Sequence, residues 1–410
     1  MKRIVFLSAW FCLAIAIASQ AQNTNSVYSV YGIGDVGVRG WNAYSPMGGL
    51  GIALRSERTI NDLNPASYGG IQYNKFMLEV AATGTSMRYV TEDQNLGAND
   101  FGIKRAAIGT NLFKNLGTVI GFKQYSSVGY KSFAQKDIAG SDNILSETIT
   151  GSGGINMAYL GNGYNIGKHL SFGVTTGFLF GAINKDEQVL LGESAGLNIE
   201  NNVFYNKFYF NAGLQYQFKT GKYKWILGTT FQPKIDLKKE ETFTVKDLND
   251  SIYTQVKTSG DKFKYPVQWG AGITMVKGNS TFGADYIQQN WSSTNYSGDG
   301  FTTTNLQSFA LGYNYTFKKR TFYGWRDGVS IMAGVQRDLS YIIINGQQVS
   351  STIGSLGANI PSKNGLYNYT VGVRVGQRGQ VNYPLVKEKF VDLTLNVSLM
   401  NILNRGRKYD

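Results

Sequence analysis

From about Asn74 onward, apolar and polar residues alternate with a period of two in one segment after another. Val391–Met400 sets Val391, Leu393, Leu395, Val397 and Leu399 against Asp392, Thr394, Asn396, Ser398 and Met400. Tyr367–Gly376 sets Tyr367, Tyr369, Val371, Val373 and Val375 against Asn368, Thr370, Gly372, Arg374 and Gly376. Phe204–Phe218, Val267–Met275 and Phe309–Phe317 repeat the pattern, with Lys207 and Gln268 on the polar faces. Successive side chains of a strand point to opposite faces, so each segment reads as an amphipathic strand. The series predicts about fourteen strands, at 75–91, 101–114, 117–132, 147–166, 169–184, 203–219, 222–236, 261–276, 279–292, 305–318, 326–340, 348–360, 366–378 and 388–402.

A soluble sandwich would alternate too. Its solvated faces, however, would carry many lysines and glutamates, whereas the polar faces here are rich in glycine and uncharged polar residues. The apolar faces also carry tyrosine and tryptophan near strand ends, as an interfacial aromatic girdle would. Connections alternate between short (114–117, 167–169, 219–222, 277–279, 318–321, 361–365) and long (92–100, 133–146, 185–202, 237–260, 293–304, 341–347, 379–387). Short turns on one rim and long loops on the other mark an outer-membrane barrel with periplasmic turns, and an even strand number places both chain ends in the periplasm.

Ahead of the strands, Lys2-Arg3, the apolar run Ile4–Ala18 and Ser19-Gln20-Ala21 read as a secretory signal over 1–21. The only cysteine, Cys12, lies inside it behind Phe11, which does not suit lipidation. The exported chain is then expected to carry no disulfide and no thiolate metal site. Residues 22–73 are polar and punctuated by glycine, centred on Pro46–Tyr68. Gly48, Gly49 and Gly51 would let that backbone lie against a wall, and Asn64-Pro65-Ala66 would turn it. A barrel of about fourteen strands falls between those filled by side chains and those holding an open channel. The expected fold is therefore all-β: a transmembrane antiparallel β-barrel of about fourteen strands over 74–403, an N-terminal plug or hatch at 22–73 in its lumen, and a basic periplasmic tail at 404–410. A disordered periplasmic arm is the alternative for 22–73.

The net charge of +13 is scattered among acids and turns with no concentrated patch. Anionic headgroups, meaning outer-membrane lipid and lipopolysaccharide, are thus expected partners rather than nucleic acid. The one histidine, His169, sits in a tight turn, and without spaced histidines or cysteines no cofactor and no metal site are expected. Asp247, Asn249 and Asp250 resemble half a calcium loop without its glycine and closing glutamate. Gly32-Ile33-Gly34 lacks the third glycine of a dinucleotide turn. No enzyme is expected. The informative ionisable groups are the inward ones, Lys207, Asp285, Arg374 and Asp392. Each must pair or meet water, either with Arg39, Arg55, Glu57, Arg58 or Asp62 of the plug or with one another across the wall. The third strand loses its period at Gln124, and Ser126, Ser127 and Gly129 predict a kink there.

The order of signal, small-residue stretch Met47-Gly48-Gly49-Leu50-Gly51-Ile52-Ala53, Asn64-Pro65-Ala66 and then about fourteen strands resembles the FadL-type transporters of long-chain fatty acids and other hydrophobic compounds. The resemblance covers nearly the whole exported chain. It implies a hatch inside a fourteen-stranded barrel of the Gram-negative outer membrane, passive uptake of a hydrophobic small molecule past that hatch, and exit through the wall near a third-strand kink. Two features depart from it: the charged loop 237–260, where a lipid groove would be apolar, and a chain that runs on past its last strand. They point to the alternative, a non-transporting accessory subunit of a larger outer-membrane complex for protein secretion or barrel assembly, with other outer-membrane proteins as partners.

Overall fold

The computed structural model describes residues 26–402, apart from 93, 138–143, 193–194, 299, 322–323 and 383–384. The signal segment 1–21 and the tail 404–410 lie outside the described residues. The strands are β1 (Asp35–Val36), β2 (Lys75–Val90), β3 (Asn95–Phe113), β4 (Leu116–Asp137), β5 (Ile144–Ile166), β6 (Leu170–Leu191), β7 (Ala195–Thr220), β8 (Tyr223–Gln232), β9 (Ile235–Asp247), β10 (Ile252–Tyr265), β11 (Gln268–Lys277), β12 (Ser280–Gln289), β13 (Phe301–Thr303), β14 (Leu306–Thr321), β15 (Gly324–Ile344), β16 (Gln347–Pro361), β17 (Tyr367–Arg378) and β18 (Lys387–Ile402). Pro233-Lys234 divides one long strand into β8 and β9, and Pro266-Val267 divides another into β10 and β11. Proline cannot donate to a ladder, so each break falls where the sequence places it. β1 and β13 lie off the wall. What remains is a closed antiparallel barrel of fourteen strands, sealed where β18 pairs with β2 from Lys387↔Val90 to Ile402↔Lys75.

Burial is inverted relative to a soluble protein. Inward positions are polar and buried, among them Thr83, Asn211, Gln215, Thr274, Ser308, Ser355, Thr370, Asn396 and Ser398. Outward positions are apolar and bare: Phe208 is 77% exposed and Leu356 64%. Such a surface is stable only against hydrocarbon, where a closed barrel leaves no main-chain group unpaired.

All fourteen expected strands are present. Several expected long loops, however, are strand. β4 and β5 run on through most of 133–146, β6 and β7 through 185–202, and β9 and β10 through 237–260. Above the membrane neither face needs to be apolar, so the period-two signal disappears although the ladder continues, held in part by pairs such as Lys246 Nζ to Glu200 Oε1 at 2.6 Å. The expected loop 341–347 is a tight turn at Asn345-Gly346, both with positive φ (47° and 76°), the geometry that favours an Asn-Gly hairpin.

Residues 26–73 fill the lumen as three 3-10 turns, Val27–Val30, Ser45–Met47 and Pro65–Gly70, joined by irregular chain. Ser26 bonds Glu388 at the rim of the long connections, whereas Asn165, at the short-turn rim, donates to the Gly69 carbonyl at 2.6 Å. The segment thus crosses the barrel end to end. Close approach depends on glycines of the wall more than on those of the plug. Gly48 (φ +71°) does face the wall at the Leu311 and Val335 carbonyls, but Gly51 packs on Leu63 and Asn61 of the plug itself. A Cβ on Gly228 of β8 would collide with the Ile52 carbonyl.

Gly228→Val should therefore cost about 1–3 kcal/mol through overpacking and lower the temperature at which the barrel band shifts on a heat-modifiability gel. Gly354→Val, where a Cβ meets open space, should leave that temperature unchanged.

Candidate functional site

The site is the contact between plug and wall, and its chemistry is ionic. Arg105, on β3, lies in the lumen 1% exposed. Its Nη1 is 3.2 Å from Glu79 Oε1 on β2, its Nε is 3.6 Å from Asp62 Oδ1 of the plug, and its Nη2 donates to the Ile60 carbonyl at 3.2 Å. Glu79 accepts from the Ile60 N–H at 2.6 Å and from Asn396 Nδ2 on β18 at 2.8 Å. Lys123 Nζ on β4 donates to Asp62 Oδ2 at 2.9 Å. Burial pushes the Asp62 carboxyl up, but Lys123 and Arg105 outweigh it and hold the group at about 2, below its ordinary 3.8.

Three further anchors spread along the segment. Asp285 on β12 accepts the Gly51 N–H at 2.7 Å and the Ile52 N–H at 3.0 Å. Arg39 lies beside it, with Nη1 at 4.0 Å and Nε donating to Ser308 Oγ at 2.7 Å. Asn64 caps the Pro65–Gly70 turn by accepting from the Ala66 N–H at 3.0 Å, and Pro65 fills the first turn position, where no N–H is needed. The Asn64 Nδ2 donates to the Ile52 carbonyl at 2.7 Å and to the wall carbonyl of Leu214 at 3.2 Å. At the other end Glu388 on β18 accepts the Ser26 hydroxyl and the Val27 N–H, each at 2.7 Å, and Arg378 Nη1 reaches Asp35 Oδ2 at 3.0 Å.

The inward charges expected from the sequence divide. Asp285 meets the plug, with Arg39 beside it. Arg374 pairs instead across the wall with Asp392 at 3.6 Å and touches the plug through the Trp41 ring, 4.9 Å from its guanidinium. Gln268 accepts from Gln289 Nε2 at 2.7 Å. Lys207 is half-buried on the inward face and makes no ion pair among the described residues. Arg55 donates to Asn165 Oδ1 at 2.5 Å, while Arg58 bonds the wall only through its carbonyl, from Ser398 Oγ at 3.1 Å. Glu79, Arg105, Lys123, Glu388 and Arg378 were not singled out from the sequence. Arg105 and Lys123 lie on strands whose alternation is blurred, and Glu388 sits at the very start of its strand. His169 stands in its turn, Nδ1 at 2.9 Å from the Gln217 carbonyl.

The third barrel strand is irregular where its pattern fails. β4 pairs with β3 only between Arg105↔Lys123 and Phe113↔Leu116, although β3 stays paired with β2 up to Asn95. The β4–β5 register slips between Gln124 and Ser126, bulging at Tyr125. Between Asn95–Lys104 and Gln124–Asp137 the wall thus has a seam without a ladder. From inside, β1 covers part of it, pairing Asp35↔Ser127 and Val36↔Ser126, and Ser29 Oγ accepts the Gly129 N–H at 3.2 Å. A cavity of about 220 Å³ lies behind the seam, lined by Asp100, Lys104, Tyr125, Asp338, Arg374 and Asp392 among others. Above it Trp291 stacks on Tyr341 at 4.0 Å, and Tyr296 Oη accepts the Gly32 N–H at 2.9 Å. An apolar concavity of about 960 Å³ lies outside the barrel on the lipid-facing wall, lined by Trp225, Ile273, Phe282, Leu311, Val335 and Leu356 among others.

The sequence matches the family model described as BamG over residues 1–410. The chain belongs to the BamG family. No curated protein matches it. Solved structures similar to this BamG-family barrel include a Pseudomonas aeruginosa FadL homologue, 12% identical, TM-score 0.62, covering 91% of this chain and all of that one. The CymD monoaromatic hydrocarbon channel is 14% identical, TM-score 0.57, over 89% and 98% of the two chains. The Ralstonia pickettii toluene transporter TbuX is 16% identical, TM-score 0.55, over 88% and 99%. At these identities the likeness is one of fold: this member of the BamG family has a FadL-like barrel fold.

Removing the Arg105 charge would leave Glu79 buried and Asp62 short of one of its two cations. Arg105→Met should therefore destabilise the plug by about 3–5 kcal/mol, read as protease access to residues 26–73 in an otherwise intact barrel. Because the Asp62 pKa is depressed on folding, its contribution is fully present above 3.8 and is lost as pH falls through about 2. Plug release followed by tryptophan fluorescence should show a step in that window, and Asp62→Asn should remove the step.

Proposed function

We propose that this BamG-family barrel is a sealed, non-conducting subunit of a larger outer-membrane assembly, of the barrel-assembly class to which the family name points. The observation that carries this reading is the distribution of plug anchors: buried bonds tie residues 26–71 to the wall at both rims and at mid-height. A gate for hydrophobic molecules would have to break several charge-assisted bonds at once and move its cargo past Asp100, Lys104, Arg374 and Asp392. Stripping those groups of water and partners is costly. The large apolar hollow instead faces outward, where lipid, lipopolysaccharide or a neighbouring barrel would lie. The export signal at 1–21 and the basic tail at 404–410 belong to this reading as expectations about delivery and headgroup contact. No catalytic role is proposed.

A second reading, passive uptake of a hydrophobic compound with sideways exit, is favoured by the unladdered seam between β3 and β4. The solved structures of like fold include a hydrocarbon channel and toluene transporters. In that reading Asp35–Val36 would have to detach from Ser126–Ser127.

Native detergent extraction without crosslinking, followed by planar-bilayer recording of the purified chain, separates the two. The expected result is a stoichiometric protein partner and no conductance steps. A barrel that purifies alone with a hydrophobic compound in its lumen, and passes a hydrophobic dye across liposomes, would overturn the proposal.

A further inference from the structure

The rim bearing the long connections is uneven. β4, β5, β6, β7, β9 and β10 run on past the barrel, paired in that order. β12 instead stops at Gln289, opposite Gln268. β11 therefore has β8 and β12 on its two sides, whereas its continuation β10 has a ladder with β9 alone. Along Ile252–Lys262 one row of main-chain groups has lost the neighbour it has lower in the wall, and every residue from 252 to 262 is exposed.

An exposed sheet edge is normally blunted by proline, bulges or charge, because its unpaired N–H and C=O groups are a template for another strand. Here the ladder with β9 is regular over Thr254–Ser259, between irregularities at either end, and that stretch carries one charge, Lys257. Its residues, Thr-Gln-Val-Lys-Thr-Ser, and the preceding Ile252-Tyr253 favour extended chain.

The register also describes what a seventh strand must look like. The row Gly151, Lys185, Asn201, Phe243, Val256 shares the face that continues into the buried lumen residues Val203 and Tyr205. At its end Phe243 and Val256 stand bare beside the missing strand, Val256 51% exposed. On the opposite face Asn184, Asn202, Thr242 and Lys257 are polar throughout. Lys257, Lys262 and Lys264 of β10 make no ion pair among the described residues. An incoming strand that set apolar side chains beside Val256 and acidic ones beside these lysines would extend both faces. Antiparallel pairing with a second copy of β10 centred on Lys257 would set lysine against lysine, which disfavours self-association in that register.

We propose that the β10 edge at Thr254–Ser259 is a docking site for an extended strand of a partner protein, acidic on one face and apolar on the other, which joins by β-augmentation. The proposal rests on the reading of the barrel as an assembly subunit and specifies how one partner is held.

The test uses the full chain, purified alone and as the natively extracted complex. Residue-resolved hydrogen exchange should show every second amide across Thr254–Ser259 slowed roughly tenfold or more in the complex, with the amides already bonded to β9 unchanged. Photo-crosslinkers placed in turn at Gln255, Lys257 and Ser259 should attach to one partner segment, each two-residue step along β10 moving the attachment by two residues. Lys257→Glu combined with Lys262→Glu should cut recovery of that partner about tenfold, and Lys257→Arg should keep it. An intact complex whose β10 amides exchange as fast as in the isolated barrel overturns the docking site and leaves the assembly reading standing. Attachment to a second copy of this chain overturns the choice of occupant. A barrel that no partner accompanies overturns both.

Discussion

One buried guanidinium organises the interior. Arg105 could not lie dry in the lumen without compensation, and it receives a carboxylate from each side, Glu79 of the wall and Asp62 of the plug. Glu79 has no other cation there among the described residues, and Asp62 has only Lys123 besides. The plug and the wall are thus each incomplete in charge, and only their contact makes either one electrically acceptable in a low-dielectric space. The same logic recurs with weaker groups: Asp285 with two plug N–H groups and Arg39, and Glu388 with Ser26 and Val27. A lumen lined with uncharged polar side chains would have bound water. Charges of the wall placed opposite charges of the plug bind the plug.

The barrel was legible because its constraint is periodic. Hydrocarbon outside and a polar interior force alternation on every strand that crosses the membrane, and Val391–Met400 and Tyr367–Gly376 carry it without a break. Where the constraint ends, the signal ends. The strand portions beyond the membrane, such as Lys257 opposite Thr242, are free of the hydrocarbon constraint and read as loops in the sequence. The interior was half legible. Asp285, Arg374 and Asp392 are inward charges on clean strands. Asp285 anchors the plug, whereas the other two meet chiefly each other. Arg105 and Lys123 are not legible in the sequence, because it does not say which cations face inward when glycines and short side chains blur the alternation of β3 and β4. The sequence points to the plug's own glycines for its fit against the wall, but close approach needs space on both partners, and Gly228 supplies the other half.

The third strand shows how a local defect in pattern becomes a feature of shape. The interruption at Gln124 corresponds to a bulge at Tyr125 and to the end of pairing with β3. A two-residue strand of the plug then takes part of the vacated edge. The weakest part of the wall is repaired from within rather than by its neighbour.

The plug also crosses the line where the cylinder is sewn shut. Glu79 stands on β2 and Asn396 on β18, the first and last strands of the barrel; they bond each other, and Glu79 bonds Ile60 between them. Ser398 of β18 holds the Arg58 carbonyl. Residues 26–71 span the height of the lumen and touch both strands that close it. The ladder that seals the cylinder and the packing of the plug therefore draw on the same side chains, so that what holds the plug also braces the joint of the wall.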